Sequence, residues 1–134
     1  MNPGGMGGTY AGNAVSVAAA LATLDVFEEE RLVENAVIRG KQLKEGLLQL
    51  AEKYPVKEIR GYGLMVAMEF DETVASGTAG KICQKMLDHG MIMFNCSVFE
   101  TIRYIPALTV SSAEIELALQ KTDAVLSEIF PKGK

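Results

Sequence analysis

The chain has no tryptophan, one histidine, two cysteines and four prolines among its 134 residues. Each scarcity removes a class of function. The lone histidine, His89, has no second metal-type ligand at usable spacing, so no zinc set can be assembled around it. For the same reason, no nucleophile, base and acid can be put together, and no serine sits in a nucleophile-elbow motif. Cys83 and Cys96 do not make a disulfide framework in a chain of this size, so reduced thiols and a cytoplasmic setting are expected. No apolar run approaches the roughly 20 residues that span a bilayer. The start, Met1-Asn2-Pro3-Gly4-Gly5, has neither the basic nor the apolar region of a signal peptide. Positive charge is also short: 13 Lys and Arg face 17 Asp and Glu, for a formal net charge of -4. Electrostatics therefore gives no reason to expect nucleic acid or an anionic membrane as partner.

Glycine, by contrast, is plentiful, and Gly4, Gly5, Gly7 and Gly8 crowd the start. Such a segment is entropically costly to order. It reads either as a flexible tail or as the interior of a longer protein. Beyond it, 49% hydrophobic and 22% charged residues make an ordinary globular composition, with room for one core.

Hydrophobic spacing predicts the elements. Asn13 is a candidate N-cap for a helix from Ala14 to Glu30. Its centre, Val17-Ala18-Ala19-Ala20-Leu21-Ala22, is apolar on most sides, and such a helix is expected to be covered. A second helix carries Leu32, Ala36, Gly40, Leu43, Leu47, Leu50 and Ala51 on one face and stops at Tyr54-Pro55. Strands are expected at Val56–Arg60 and Leu64–Phe70, joined by Gly61-Tyr62-Gly63 as a hairpin or as one bent strand. Ser76 or Thr78 would cap a third helix with Ile82, Met86 and Leu87 inward and Gly90 as its left-handed C-cap. Strands at Met91–Asn95 and Thr101–Ile105 follow, the second ended by Pro106. Ser111 and Glu114 form a capping box for a last helix with Ile115, Leu119, Thr122, Leu126 and Ile129 in one stripe. This order implies an α+β layer, an antiparallel sheet of three to four strands with helices on one face.

Three features invite a chemical reading. Gly7-Gly8-Thr9-Tyr10-Ala11-Gly12-Asn13 runs into a helix N-terminus, which suits a phosphate through backbone N–H groups and the threonine hydroxyl; a loose leader with an N-cap is the alternative. Arg103, inside the apolar string Ile102-Arg103-Tyr104-Ile105-Pro106, requires a partner if buried. That partner is either an acidic residue of the fold or a substrate carboxylate, which the guanidinium fork matches. His89 beside Gly90 reads as a favourable charge in a last helical turn. Cys96 reads as a buried thiol, and Glu28-Glu29-Glu30 as a solvated helix end.

Three strings in register resemble one family. Gly7-Gly8-Thr9-Tyr10-Ala11-Gly12-Asn13 with the alanine-rich stretch after it, Arg60-Gly61-Tyr62-Gly63-Leu64-Met65, and Ile102-Arg103-Tyr104-Ile105-Pro106-Ala107-Leu108-Thr109 are similar to segments of the class III pyridoxal-phosphate-dependent aminotransferases. Asn95-Cys96-Ser97 most resembles the 4-aminobutyrate aminotransferase branch. Ala14 departs from the family's usual proline, and Ser97 stands where glycine is common.

The resemblance implies a fold type I architecture. Residues 1–30 would be the tail of the large domain with its connecting helix, and residues 31–134 the small C-terminal domain. It implies that Gly8 and Thr9 help hold the phosphate of pyridoxal phosphate across a homodimer. It further implies that Arg103 holds a substrate carboxylate, and that amino acid and 2-oxo acid are the substrates. The family's catalytic lysine lies upstream of the Gly-Gly-Thr segment, so no catalytic residue is expected in this chain, and it is expected to be inactive alone, with no stoichiometric cofactor. An aminomutase, racemase or decarboxylase on the same scaffold, or a non-catalytic interaction module, are the competing readings.

Overall fold

The computed structural model describes residues 8, 11–96 and 98–131. Two compact units divide after Leu32.

The first unit carries α1 (Ala14–Glu29). Asn13 caps it as expected, its Oδ1 accepting from the Val15 and Ser16 amides at 3.1 Å each. The helix is apolar in composition, yet none of its residues is buried.

The second unit holds most of α2 (Leu32–Ala51), then β1 (Val56–Tyr62), β2 (Met65–Phe70), α3 (Thr78–Asp88), β3 (Phe94–Cys96), β4 (Phe99–Tyr104) and α4 (Ser112–Ile129). The strands form one antiparallel sheet in the order β1-β2-β4-β3. The α+β layer expected from the sequence is what the chain adopts.

Strand alternation sorts the sheet into two faces. Ile59, Val66, Met68, Phe70, Ile102 and Tyr104 turn toward the helices and are buried. They join Leu43, Leu47 and Leu50 of α2, Ile82 and Met86 of α3, and Ile115, Val125 and Leu126 of α4 in one core. Tyr62, Met65, Arg60 and Arg103 occupy the opposite face and are exposed.

Of the two readings of Gly61-Tyr62-Gly63, the hairpin is correct. Tyr62 pairs with Met65, and Gly63 takes the turn with φ 51°. Gly63 also explains Gly40. A Cβ on Gly40 would lie 2.2 Å from the Gly63 carbonyl oxygen, so α2 crosses the turn at a distance that only glycine permits.

Four local expectations need correction. The cap of α3 is neither Ser76 nor Thr78 but Gly77, with φ 85° and no side-chain hydrogen bond of its own. The inward face of α3 is Thr78, Ala79, Ile82 and Met86, while Leu87 is exposed. The strand expected at Met91–Asn95 is only Phe94–Cys96. Its first residues instead finish the helix: Gly90 (φ 72°) donates to the Leu87 carbonyl and Met91 to that of Met86, each at 2.8 Å. The next strand starts earlier than Thr101, because Cys96 pairs with Phe99 to close the hairpin.

Candidate functional site

The sequence singled out three places, and the structure treats them differently. Thr9 lies outside the described residues, as does Ser97. Gly8 is exposed, and a Cβ there would meet nothing within 4 Å, so its backbone is open to approach. The nearby helix start is not open. The Val15 and Ser16 amides are already taken by Asn13, which leaves the loop backbone and the helix dipole as what this segment offers a phosphate.

Arg103 sits near the end of β4, opposite Ala67 on one side and Phe94 on the other. The condition attached to Arg103, a partner if it is buried, does not arise here, because the residue is exposed. Ile102 and Tyr104 are buried on the helix face, and alternation turns Arg103 out to the uncovered face, where it is exposed. Among the described residues its side chain makes no hydrogen bond or ion pair. The fold therefore does not supply the acidic partner that the sequence left as one alternative. A cavity of about 350 Å³ borders Arg103, but its lining includes Leu43, Tyr104, Glu114 and Ile115 of the helix side, away from the face on which the guanidinium is exposed.

Two strands away in the same cross-strand row, Arg60 presents the contrast. It lies on the same face, separated from Arg103 by Ala67. Its guanidinium contacts Glu69 at 2.5 Å and Glu58 at 3.0 Å. Lys57 adds contacts to Glu69 at 3.4 Å and Glu72 at 3.2 Å. The Arg60 partnership holds the Glu69 carboxyl below its ordinary pKa. Arg60 is thus internally neutralised, and among the described residues Arg103 is not.

Two groups on the helix face hold β4 in place, and the sequence reading missed both. Glu100 accepts from the Gly77 amide at 2.6 Å and from the Ala79 amide at 2.7 Å, one carboxylate oxygen each. The Tyr104 hydroxyl meets Thr122 Oγ1 of α4 at 3.3 Å. Burial pushes the Tyr104 phenol well above its ordinary pKa, so it stays neutral. Nothing in the local sequence of Glu100 signals a cap for a helix more than twenty residues upstream.

His89 closes α3 and reaches Glu128 at 3.4 Å, where Lys85 also binds. Cys83 and Cys96 are half-buried free thiols, and burial raises the pKa of Cys83. Among the described residues no group of three or more His, Cys, Asp or Glu could hold a metal, and no helix is long and apolar enough to cross a membrane.

The family model for class III aminotransferases matches residues 1–126. The chain belongs to the class III aminotransferases. Its sequence is 37% identical to 4-aminobutyrate aminotransferase GabT of Escherichia coli K12, covering 98% of this chain and 32% of that protein. It is 39% identical to 5-aminovalerate aminotransferase DavT of Pseudomonas aeruginosa, covering 96% and 31%. Among solved structures, acetylornithine aminotransferase from Elizabethkingia anophelis superposes with a TM-score of 0.86 at 28% identity, over 96% of this chain and 33% of that one. An amine transaminase from an uncultivated Pseudomonas species, solved in its PLP-bound form, gives 0.81 at 33% identity, over 92% and 29%. The class III chain described here thus spans about a third of the length of these relatives.

Class III aminotransferases depend on pyridoxal phosphate, and of the residues that the resemblance assigns to its phosphate only Gly8 is among those described. Gly8 offers unobstructed loop backbone, whereas the amides of the helix behind it are closed off by Asn13.

Proposed function

We propose that this chain is the C-terminal part of a pyridoxal-phosphate-dependent aminotransferase acting on an ω-amino acid and a 2-oxo acid. Residues 1–30 are then the end of its large domain, and residues 31–134 its small domain. Pyridoxal phosphate, when bound, supplies the electron sink through which the amino group moves. This chain contributes positioning: Gly8 and Thr9 approach the phosphate across a homodimer, and Arg103 receives the carboxylate at the far end of the substrate. None of Lys41, Lys44, Lys53, Lys57, Lys81, Lys85, Lys121, Lys132 or Lys134 sits in the motif of the family's catalytic lysine, so the 134-residue chain is inactive by itself. A cytoplasmic location accords with the reduced thiols.

The observation that carries this reading is the open guanidinium of Arg103 on an otherwise neutralised sheet face. An exposed arginine–carboxylate pair contributes only about 0–1 kcal/mol. Covered by the rest of an enzyme, truncating one partner costs about 2–5 kcal/mol. The test is Arg103→Lys in the complete enzyme, with kinetics for an acid substrate and for a matched amine lacking the carboxylate. Lysine keeps the charge but loses the fork. Catalytic efficiency is expected to fall at least about tenfold for the acid, about 1.4 kcal/mol or more, and little for the amine. Equal losses on both would remove the carboxylate assignment.

A further inference from the structure

We infer that Glu100 is a positioning residue for Arg103, locking β4 to the start of α3 so that the guanidinium is presented at a fixed height and angle. The inference rests on the carboxylate-binding role of Arg103.

Helix α3 starts without a side-chain cap of its own. Gly77 has no side chain to offer and takes φ 85°, and Thr78 Oγ1 turns back to the Ala75 carbonyl at 2.6 Å. Helix starts expose amides that must be satisfied. Glu100 satisfies two of them with its two oxygens, on Gly77 and Ala79. A carboxylate accepting from backbone amides at a helix N-terminus makes charge-assisted hydrogen bonds and gains from the helix dipole. The contact is therefore stronger than a surface ion pair and more directional than apolar packing.

Its location gives it a second consequence. Glu100 is the second residue of β4 and shares the helix face with Ile102 and Tyr104. Ile102 is fully buried, and Tyr104 is tied to Thr122. The helix face of β4 is thus pinned to α3 at one end and to α4 at the other, with Ile102 between. Arg103 projects from the opposite face of the same short strand. On its far side β3 pairs Phe94 with Arg103 but is only three residues long and slips register between Asn95 and Cys96. The two pins add to the Ala67 and Phe94 pairings in fixing where the Arg103 backbone lies relative to the helices.

The experiment is Glu100→Gln in the complete enzyme, assayed with an acid substrate and with a matched amine lacking the carboxylate. Glutamine keeps the size but loses the charge, and it offers one acceptor oxygen where two amides need partners. For the acid, catalytic efficiency is expected to drop about five- to tenfold through KM, and for the amine to stay within about twofold. Arg103→Lys and the double variant complete a cycle. If Glu100 acts through Arg103, the double variant loses no more on the acid than Arg103→Lys alone.

Additive losses, equal losses on both substrates, or no loss would each overturn the inference. If Arg103→Lys is selective for the acid and Glu100→Gln is not, only the Glu100 inference falls. If Arg103→Lys is itself unselective, the carboxylate reading falls first. Should Glu100→Gln not fold, Glu100→Asp, which keeps the charge on a shorter arm, is put through the same assay with the same expected selectivity.

Discussion

Tyr54 donates its hydroxyl to Asp123 Oδ1 at 2.6 Å, and Lys53 reaches the same carboxylate at 3.3 Å. Burial first, then the hydrogen bond and charge of Asp123, push the Tyr54 phenol up to about 12. An unfolded tyrosine ionises near about 10. Because the folded value is the higher one, the stabilisation is complete below about pH 10 and is lost as pH rises toward about 12. Urea midpoints between these limits should therefore fall less steeply in Tyr54→Phe than in the parent chain; an unchanged slope would mean that Tyr54 ionises freely. None of this was visible in the sequence, where Tyr54 was only the residue before a proline. Arg103 is the opposite case. Its importance was legible from its string, but its surroundings were not. Apolar neighbours in sequence suggested enclosure, whereas in a strand adjacent residues face opposite ways. The companion Thr101 is fully buried with Oγ1 unpartnered among the described residues, a polar atom for which we have no structural account.

Elements were legible where a local rule governs them. The Asn13 cap, the Ser111–Glu114 capping box and the Gly90 helix stop all depend on residues a few positions apart. The start of α3 does not, since its cap comes from Glu100 on another strand. Gly40 is a similar case inside α2. Helix propensity alone predicts that Gly40→Ala stabilises by about 1 kcal/mol. The structure predicts the reverse, because the new Cβ would lie 2.2 Å from backbone oxygen and 2.3 Å from backbone carbon of Gly63. Neither atom can yield without moving the β1–β2 turn. A net loss of at least about 2 kcal/mol is expected by denaturant unfolding, as for other overpacked sites; stability equal to or above the parent's would contradict the close crossing.

At the scale of the whole molecule, the core belongs to the second unit, and α1 buries none of its residues. Among the described residues, deleting residues 1–30 therefore removes no core side chain. The shortened chain should unfold cooperatively, with stability within about 0.5 kcal/mol of the parent's, as expected when no buried contact is lost. A larger drop in the urea midpoint would show that the second unit depends on the first. Exposed Val15, Val17, Leu21 and Leu24 on α1 have the apolar character of a helix that is normally covered. That fits a chain spanning about a third of its relatives' length.

Two kinds of information separate in this protein. Element types, most helix ends, the antiparallel α+β layer and the class III aminotransferase family were determined by the sequence by itself. The reason is that periodicity, caps and motif strings are short-range patterns carried by residues that are close along the chain. Strand order, the neutralisation of Arg60 beside an open Arg103, the Glu100 cap and the crossing of Gly40 over Gly63 were decided only by the tertiary structure. Each joins groups distant in sequence, and whether a charge is paired, exposed or aimed depends on which strand and helix the folded chain sets against it.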